Sequence, residues 1–312
     1  MTEFGFIDHI AKLFGDLPLN SFEGIGDDCA VFGIGGGESL VFTADLVVEG
    51  VHFLRRATSA YDLGHKALAV NLSDVAAMGA KPVATILSVA LPHDASQQWA
   101  LDFMRGYHDL SKRFGVALIG GDTTRSEGGI TINVTALGRI ESSLIKRRSA
   151  AQVGDVVFVG DRLGASAAGL HDILEGRFQT DPAQIHRTPM PQIEEGQWLA
   201  QHDEVHAMMD LSDGLASDIR HIMALSKVGA ELSLDEIPCA ECADLKMAAT
   251  GGEDYKLLFT VAAGKAEALA EQFFHEFHRR IYPVGRITPT QQLVWTKNGE
   301  PMNLDWRGFT HY

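Results

Sequence analysis

The chain has 312 residues, a formal net charge of −15 and three cysteines. That length is long for one core and predicts two domains, while the acidity argues against a nucleic-acid partner; the one basic cluster, Lys146-Arg147-Arg148, is too short for a polyanion footprint. No apolar run reaches the ~18 residues of a membrane span, the start MTEFGFIDHIAKLF lacks the basic region of a signal peptide, and the odd cysteine count reads as reduced thiols in the cytoplasm.

In chain order, the first segment of interest is GIGDDCAVF (24–32), where Asp27 and Asp28 stand beside Cys29, Ala30, Val31 and Phe32. Two readings are open. Gly-Asp-Asp is good turn chemistry; alternatively, a carboxylate facing a core needs a hydrogen bond, a salt bridge or a metal. The glycine run 33–37 lacks the Lys-Ser/Thr of a P-loop and predicts a hairpin loop. SLVFTADLVV (39–48) predicts a strand, and 60–78 a helix stopped by Gly79 with Pro82 beyond. Residues 82–91 predict a strand, 95–114 an amphipathic helix, 116–120 a short buried strand and 130–140 another strand. The polar stretch 141–155 breaks this pattern. It separates an N-terminal domain over 1–140 from a C-terminal one over 150–312.

The second half opens with strand VVFVG (156–160) and the small-residue segment LGASAAGLHDIL, which suits a closely packed helix, with phosphate contact as the alternative. The Pro-rich, polar stretch 180–197 predicts an exposed excursion. AMMDLSDGLASDIRHIMALSKVG reads as a strand end followed by a helix; MAATGGEDYKLLFTV and RIYPVGRI supply later strands. Both halves contain Gly-Gly-acid, a strand and Gly-Arg-Ile (120–140 and 251–287), either a coincidence or a shared α+β plan. Cys239 and Cys242 with His202 and His206 offer a zinc reading, but their spacing is unlike a zinc finger's and HDEVH misplaces the acid for a metalloprotease. Ordinary loop cysteines are preferred.

Aspartate recurs where buried elements end. Asp45 lies within LVFTADLVV, Asp122 ends ALIGGD, and Asp210 and Asp213 bracket a helix start, where capping of free backbone N–H groups is the competing reading. Asp74 is the most informative. With Leu63, Ala67 and Val70 it follows i, i+4, i+7, i+11 spacing, so it sits on an apolar helix face with Asn71 one turn earlier. Six aspartates with this habit and few basic residues nearby point to hard divalent cations; oxygen-only ligands favour Mg²⁺. Such sites commonly hold phosphate, and the metal reverses the repulsive field of the carboxylates. The residues lead to Mg²⁺-dependent phosphate chemistry without a P-loop and do not name the acceptor.

The ordered set GIGDDCA, TADLVVEGVHF, KALAVNLSDVAAMGAKP, LIGGDTTR, LSDGLASD, GGEDYKLLF and LDWRGF resembles the thiamine-monophosphate kinase family, of the aminoimidazole ribonucleotide synthetase-like superfamily, over residues about 4–312. The resemblance implies a two-domain α+β fold: an N-terminal sheet forming a barrel across a homodimer, and a C-terminal α/β sandwich domain completing the site. It implies ATP as co-substrate, several Mg²⁺ ions and thiamine monophosphate as acceptor, with direct in-line transfer. Carried over by motif, Asp28, Thr43, Ala44, Asp45, Asp74, Asp122, Asp210 and Asp213 match metal positions. Asp28, Asp45, Asp74, Asp122 and Asp210 form the catalytic set, and Gly121, Asp122, Arg148 and Ser212 match nucleotide contacts. His52, Glu253 and Trp306 match contacts to thiamine phosphate. One departure stands out: many relatives read Ser-Thr-Asp where this chain has Thr43-Ala44-Asp45, so only a backbone ligand survives at Ala44. Competing readings are a cyclo-ligase or selenophosphate synthetase of the same superfamily, and a non-catalytic nucleotide-binding scaffold. Cys29 beside the Asp pair is not the cysteine of a mobile glycine-rich segment that a selenophosphate synthetase would carry, and a scaffold need not keep six aspartates.

Overall fold

The structure, a computed structural model, describes residues 3–309. The first half runs α1 (Glu3–Leu13), β1 (Phe22–Glu23), β2 (Ala30–Gly35), β3 (Glu38–Val48), α2 (Ala60–Ala77), β4 (Lys81–Pro92), α3 (Gln97–Phe114), β5 (Ala117–Ser126) and β6 (Thr131–Glu141). The second half begins with β7 (Val156–Val159), α4 (Ala165–Leu174), α5 (Asp181–Arg187), α6 (Ile193–Ala200), β8 (Val205–Asp210) and α7 (Leu215–Ser226). It ends with β9 (Gly229–Ser233), α8 (Leu245–Thr250), β10 (Leu257–Val261), α9 (Ala266–Phe277), β11 (Tyr282–Thr288), β12 (Leu293–Lys297) and β13 (Glu300–Met302). Each half builds its own sheet: six strands in the order β1-β2-β3-β6-β4-β5, and seven in the order β13-β12-β9-β11-β7-β10-β8. This is a two-domain α+β architecture. No helix among the described residues is long and apolar enough to cross a membrane.

Helix α2 is the hub. Ser59 caps its start by accepting the Asp62 N–H at 3.0 Å, and 14 of its 18 residues are buried. A helix covered on every side belongs inside a protein. It packs on α3 and the first sheet and also meets α6 and β8 of the second half. One apolar cluster accordingly runs through the junction, joining Leu63 and Leu72 to Phe158, Met208 and Phe259. Two glycines allow the α2–α3 approach: a Cβ on Gly64 would lie 1.9 Å from the Phe103 carbonyl oxygen, and one on Gly106 1.9 Å from that of Tyr61.

Two expectations are corrected. Residues 180–197 are not an exposed excursion; they form α5 and α6, burying Ala183, His186, Arg187, Ile193 and Glu195. Thr180 accepts the Ala183 N–H at 3.3 Å and Pro182 sits in the first turn, so a proline that reads as a loop marks a helix start. The strand expected at 116–120 continues to Ser126, placing Asp122 inside β5 rather than beyond a strand, and its residues face solvent rather than a core.

Among the described residues both margins of the first sheet are open in the single chain, and the sheet does not close into a barrel. β5 is the edge strand, with Leu118 and Ile119 exposed. On the other side, β2 pairs with β3 only as far as Phe42, so Thr43–Val48 has no strand beside it there among the described residues. Unpaired edges carrying apolar side chains are templates for another chain.

Candidate active site

Three of the aspartates singled out in the sequence, Asp28, Asp74 and Asp210, meet at the junction of the two halves. Asp28 leaves the turn before β2, Asp74 projects from α2, and Asp210 ends β8; their carboxylate oxygens lie within 4.8 Å of one another. Both readings of the Asp27-Asp28 pair hold in part. Asp27 accepts the Arg148 N–H at 3.1 Å, while Asp28 takes the Arg148 guanidinium in a two-pronged contact at 2.7 and 3.1 Å. Few basic residues stand near the aspartates in sequence; the fold brings Arg148 to them from within the boundary segment 141–155. Around the trio, Thr43 donates to Asp74 and the Ser73 hydroxyl to Asp210 at 2.5 Å. Asn71, paired with Asp74 on the same helix, accepts the Asp45 N–H at 3.0 Å and so fixes β3 against α2.

Placing like charges together in a protected site raises their proton affinity. Burial and then the Asp28 charge push Asp45 to about 6 and Asp210 to about 8. Asp74 lies well above the usual carboxylate range, by burial and then by Asp45, Asp210 and Asp28. One guanidinium does not balance this set. An all-oxygen donor group of this density fits a hard divalent cation.

A second group, Asp213, Asp218 and His221, sits at the start of α7 with donor atoms within 4.8 Å. Capping there falls to Asp218, which accepts the N–H groups of Asp213 (3.2 Å) and Gly214 (2.9 Å). Asp218 escaped the sequence reading although an acid in the first turn of a helix was its signal. At α4 the corresponding anion is also internal: Asp254 accepts the N–H groups of Gly164 and Ser166 at 2.6 and 3.2 Å. The small residues of α4 serve packing, since a Cβ on Gly169 would lie 2.0 Å from the Pro182 carbonyl oxygen.

A cleft of about 620 Å³ opens beside the aspartates, lined by Asp45, His52, Lys66 and Asp74 from the first half and by Ser212, Asp213 and Glu253 from the second. That volume suits a small organic ligand. His52 accepts the Val48 N–H on Nδ1 at 3.0 Å, which sets its ring orientation. Glu253 meets Lys66 at 2.9 Å and His186 at 3.4 Å. Burial pushes its carboxyl up, but Lys66 outweighs that by its charge and hydrogen bond and holds it below its ordinary value. Neither Lys66 nor His186 was picked out in the sequence. Trp306 packs edge-on against Trp295, ring centroids 5.6 Å apart, and its neighbours Arg307, Gly308 and Phe309 line the cleft instead. Hydrogen bonds from Gly308 N–H to Ser217 Oγ (2.9 Å) and from Phe309 N–H to the Asp213 carbonyl (3.0 Å) tie that tail to α7.

Two predicted residues stay apart from the trio. Asp122 is exposed and accepts its neighbour Thr123's N–H at 2.9 Å. It pairs with Ser88, Ser88 with Asn133, and Asn133 with Leu46; three strand spacings of about 4.8 Å separate it from the Asp45 region. Gly121 is required by the sheet itself, because a Cβ would lie 1.8 Å from the Leu87 carbonyl oxygen. The zinc reading finds no support among the described residues: neither metal-capable group includes a cysteine, and His206 binds Asp155 at 2.9 Å. Cys239 and Cys242 are loop residues, whereas Cys29 is buried in an apolar cluster.

Residues 26–140 match the family described as AIR synthase related protein, N-terminal domain, and residues 152–297 the corresponding C-terminal domain. Together they define the class, a two-domain AIR synthase related protein. The thiamine-monophosphate kinase of Escherichia coli K12 is 38% identical over 305 residues, covering 93% of this chain and 91% of that one. The structure of the thiamine-monophosphate kinase from Stenotrophomonas maltophilia K279a is 36% identical with a TM-score of 0.78, covering 96% and 98% of the two chains. AaThiL complexed with AMPPCP and TMP is 29% identical with a TM-score of 0.86, covering 100% and 97%. The chain belongs to the thiamine-monophosphate kinase family.

Proposed function

We propose that the chain transfers the γ-phosphoryl group of ATP to thiamine monophosphate, giving thiamine diphosphate, in the cytoplasm. The observation that carries this is the convergence of Asp28, Asp74 and Asp210 from both halves beside one cleft. Family membership names the substrates. Asp28, Asp74 and Asp210 would hold Mg²⁺, with Asp45, Asp213, Thr43 and the backbone carbonyl of Ala44 around them. Bound Mg²⁺ supplies the positive charge that lets two phosphates approach. The acceptor is a phosphate monoester with a second pKa of about 6, already anionic at neutral pH, so no protein base has to take its proton. The chain's own task is alignment. His52, Glu253 and the Arg307–Phe309 tail would contact thiamine monophosphate, and Arg148 and Ser212 the nucleotide.

Asp122 and Gly121 enter this reading through a homodimer. A second copy whose β5 runs past the open Thr43–Val48 stretch of β3 closes both sheets into a barrel and brings its Gly121 and Asp122 to the first copy's Thr43–Asp45. The supports are the two unpaired margins and the exposed Leu118 and Ile119.

Purified protein given thiamine monophosphate, ATP and MgCl₂ should form thiamine diphosphate and ADP in equal amounts, and none with EDTA. ATP binding without thiamine diphosphate formation would refute the assignment. Trp306→Ala tests the tail. An edge-on aromatic pair contributes about 0.5–1.5 kcal/mol, so the KM for thiamine monophosphate should rise roughly 2- to 10-fold as the anchored tail loosens, with the ATP KM unchanged. Equal rises in both values would mean that Trp306 serves general packing alone.

A further inference from the structure

Both carboxylate oxygens of Glu253 face protein groups: Lys66 Nζ lies 2.9 Å from Oε1 in an ion pair, and His186 Nε2 stands 3.4 Å from Oε2. The clamps come from different elements. Lys66 rises from α2, is 1% exposed, and also donates to the His52 carbonyl at 3.2 Å. His186 belongs to α5, is 4% exposed, and has Nδ1 2.9 Å from the Ser166 hydroxyl on α4. Burial, and then the Lys66 charge, lower His186 to about 4, so it meets Glu253 as a neutral ring. The backbone is constrained as well. Glu253 has φ of +63°, and its N–H donates to the Ser212 carbonyl at 2.7 Å; non-glycine residues adopt such φ values rarely. Asp254, next in the chain, is spent capping α4.

A lysine this buried is costly without compensation, and phosphoryl transfer as derived above has no use for it. It also lines the cleft, as His186 does. We propose that Lys66 and His186 are positioning residues that lock the Glu253 carboxylate in one orientation, and through it the aminopyrimidine end of thiamine monophosphate, which carries the N–H donors. The inference rests on the reading that Glu253 meets that end. With Lys66 balancing its charge, Glu253 selects by the direction of its remaining lone pairs more than by charge alone. That makes the clamp a specificity device for a planar ligand bearing N–H donors.

Steady-state kinetics of the full-length protein with Lys66→Met, His186→Gln, Glu253→Gln and the double variants tests this. Loss of one charge-assisted hydrogen bond predicts a KM for thiamine monophosphate about 10- to 100-fold higher in Lys66→Met. The ATP KM should stay put and kcat should change far less. His186→Gln should move the same constant in the same direction by less, and it carries the test if Lys66→Met folds poorly, because it leaves the ion pair intact. Added to Glu253→Gln, either change should cost less than about 2-fold further, the non-additivity of groups acting as one unit. A full additional loss on that background, or an unchanged KM in both single variants, overturns the positioning roles. An unchanged KM in Glu253→Gln overturns the reading of Glu253 and the inference with it.

Discussion

Asp74→Asn should lower kcat about 10²- to 10³-fold, the cost of removing one preorganised electrostatic group from a site where phosphate charge develops, while the protein stays folded. Asp74 sits among Asp28, Asp45 and Asp210 with its proton affinity raised well above normal. Asparagine keeps the shape and removes the charge. Without metal the variant should therefore melt at the same or a higher temperature than the parent, and with Mg²⁺ it should gain less. The pH dependence of the metal-free parent follows from the same cause. Carboxyls with raised folded-state pKa values bind protons more tightly folded than unfolded, so they contribute stability at low pH and lose it as pH rises. The window runs from the unfolded value near 4 through about 6 for Asp45 to about 8 for Asp210. Differential scanning calorimetry in EDTA should show Tm falling from pH 6 to pH 8, and Mg²⁺ should restore most of it at pH 8. A metal-free Tm that climbs across that interval would contradict the electrostatic description of the site.

Mixing two dead variants should restore activity. If Asp122 of one subunit serves the aspartates of the other, Asp74→Asn and Asp122→Asn homodimers are each inactive at both sites. In a mixed dimer, one site collects both substitutions and the other has none. Random exchange makes about half the dimers mixed, so roughly a quarter of the parental activity should return after co-refolding, by the arithmetic of a symmetric dimer. If Asp122 works within its own chain, every site in every mixture carries a substitution and nothing returns. The contrast is all or none, and a size-exclusion profile of the mixture confirms that dimers formed. The three-strand separation of Asp122 from Leu46 is what makes the shared-site outcome expected.

Asp74 was legible in the sequence because helix periodicity put a carboxylate on an apolar stripe, and no local structure explains such a residue. Lys66 interrupts the same helix as plainly, but a lysine is readily read as reaching for solvent, and its partner Glu253 lies in the other half of the chain. His186 was hidden for a different reason: the prolines at 182, 189 and 191 suggested a loop, whereas Pro182 begins a helix. The β5 edge was misread at Gly120-Gly121. Two glycines look like the end of a strand, yet Gly121 is present because β4 comes too close for a side chain. Capping at α7 went to Asp218 in place of Asp213, a choice of backbone geometry that residue types alone leave undetermined. Local periodicity carried most of the first half. Contacts between distant segments decided the rest.

Helix α2 supplies Lys66, Asn71, Ser73 and Asp74 within a few turns, from a cylinder covered by both halves of the molecule and interlocked with α3 through Gly64 and Gly106. Its amides should exchange with deuterium only when the whole protein opens, since no local motion frees a helix sealed on all sides. Ligands that bind only the folded protein, Mg²⁺ among them, should slow that global exchange further. Local signatures of substrate engagement will appear in the 251–256 loop and the 304–309 tail. The centre that must hold phosphates in line is thus built into the last part of the molecule to come apart, and the parts that admit and release thiamine are hung at its rim.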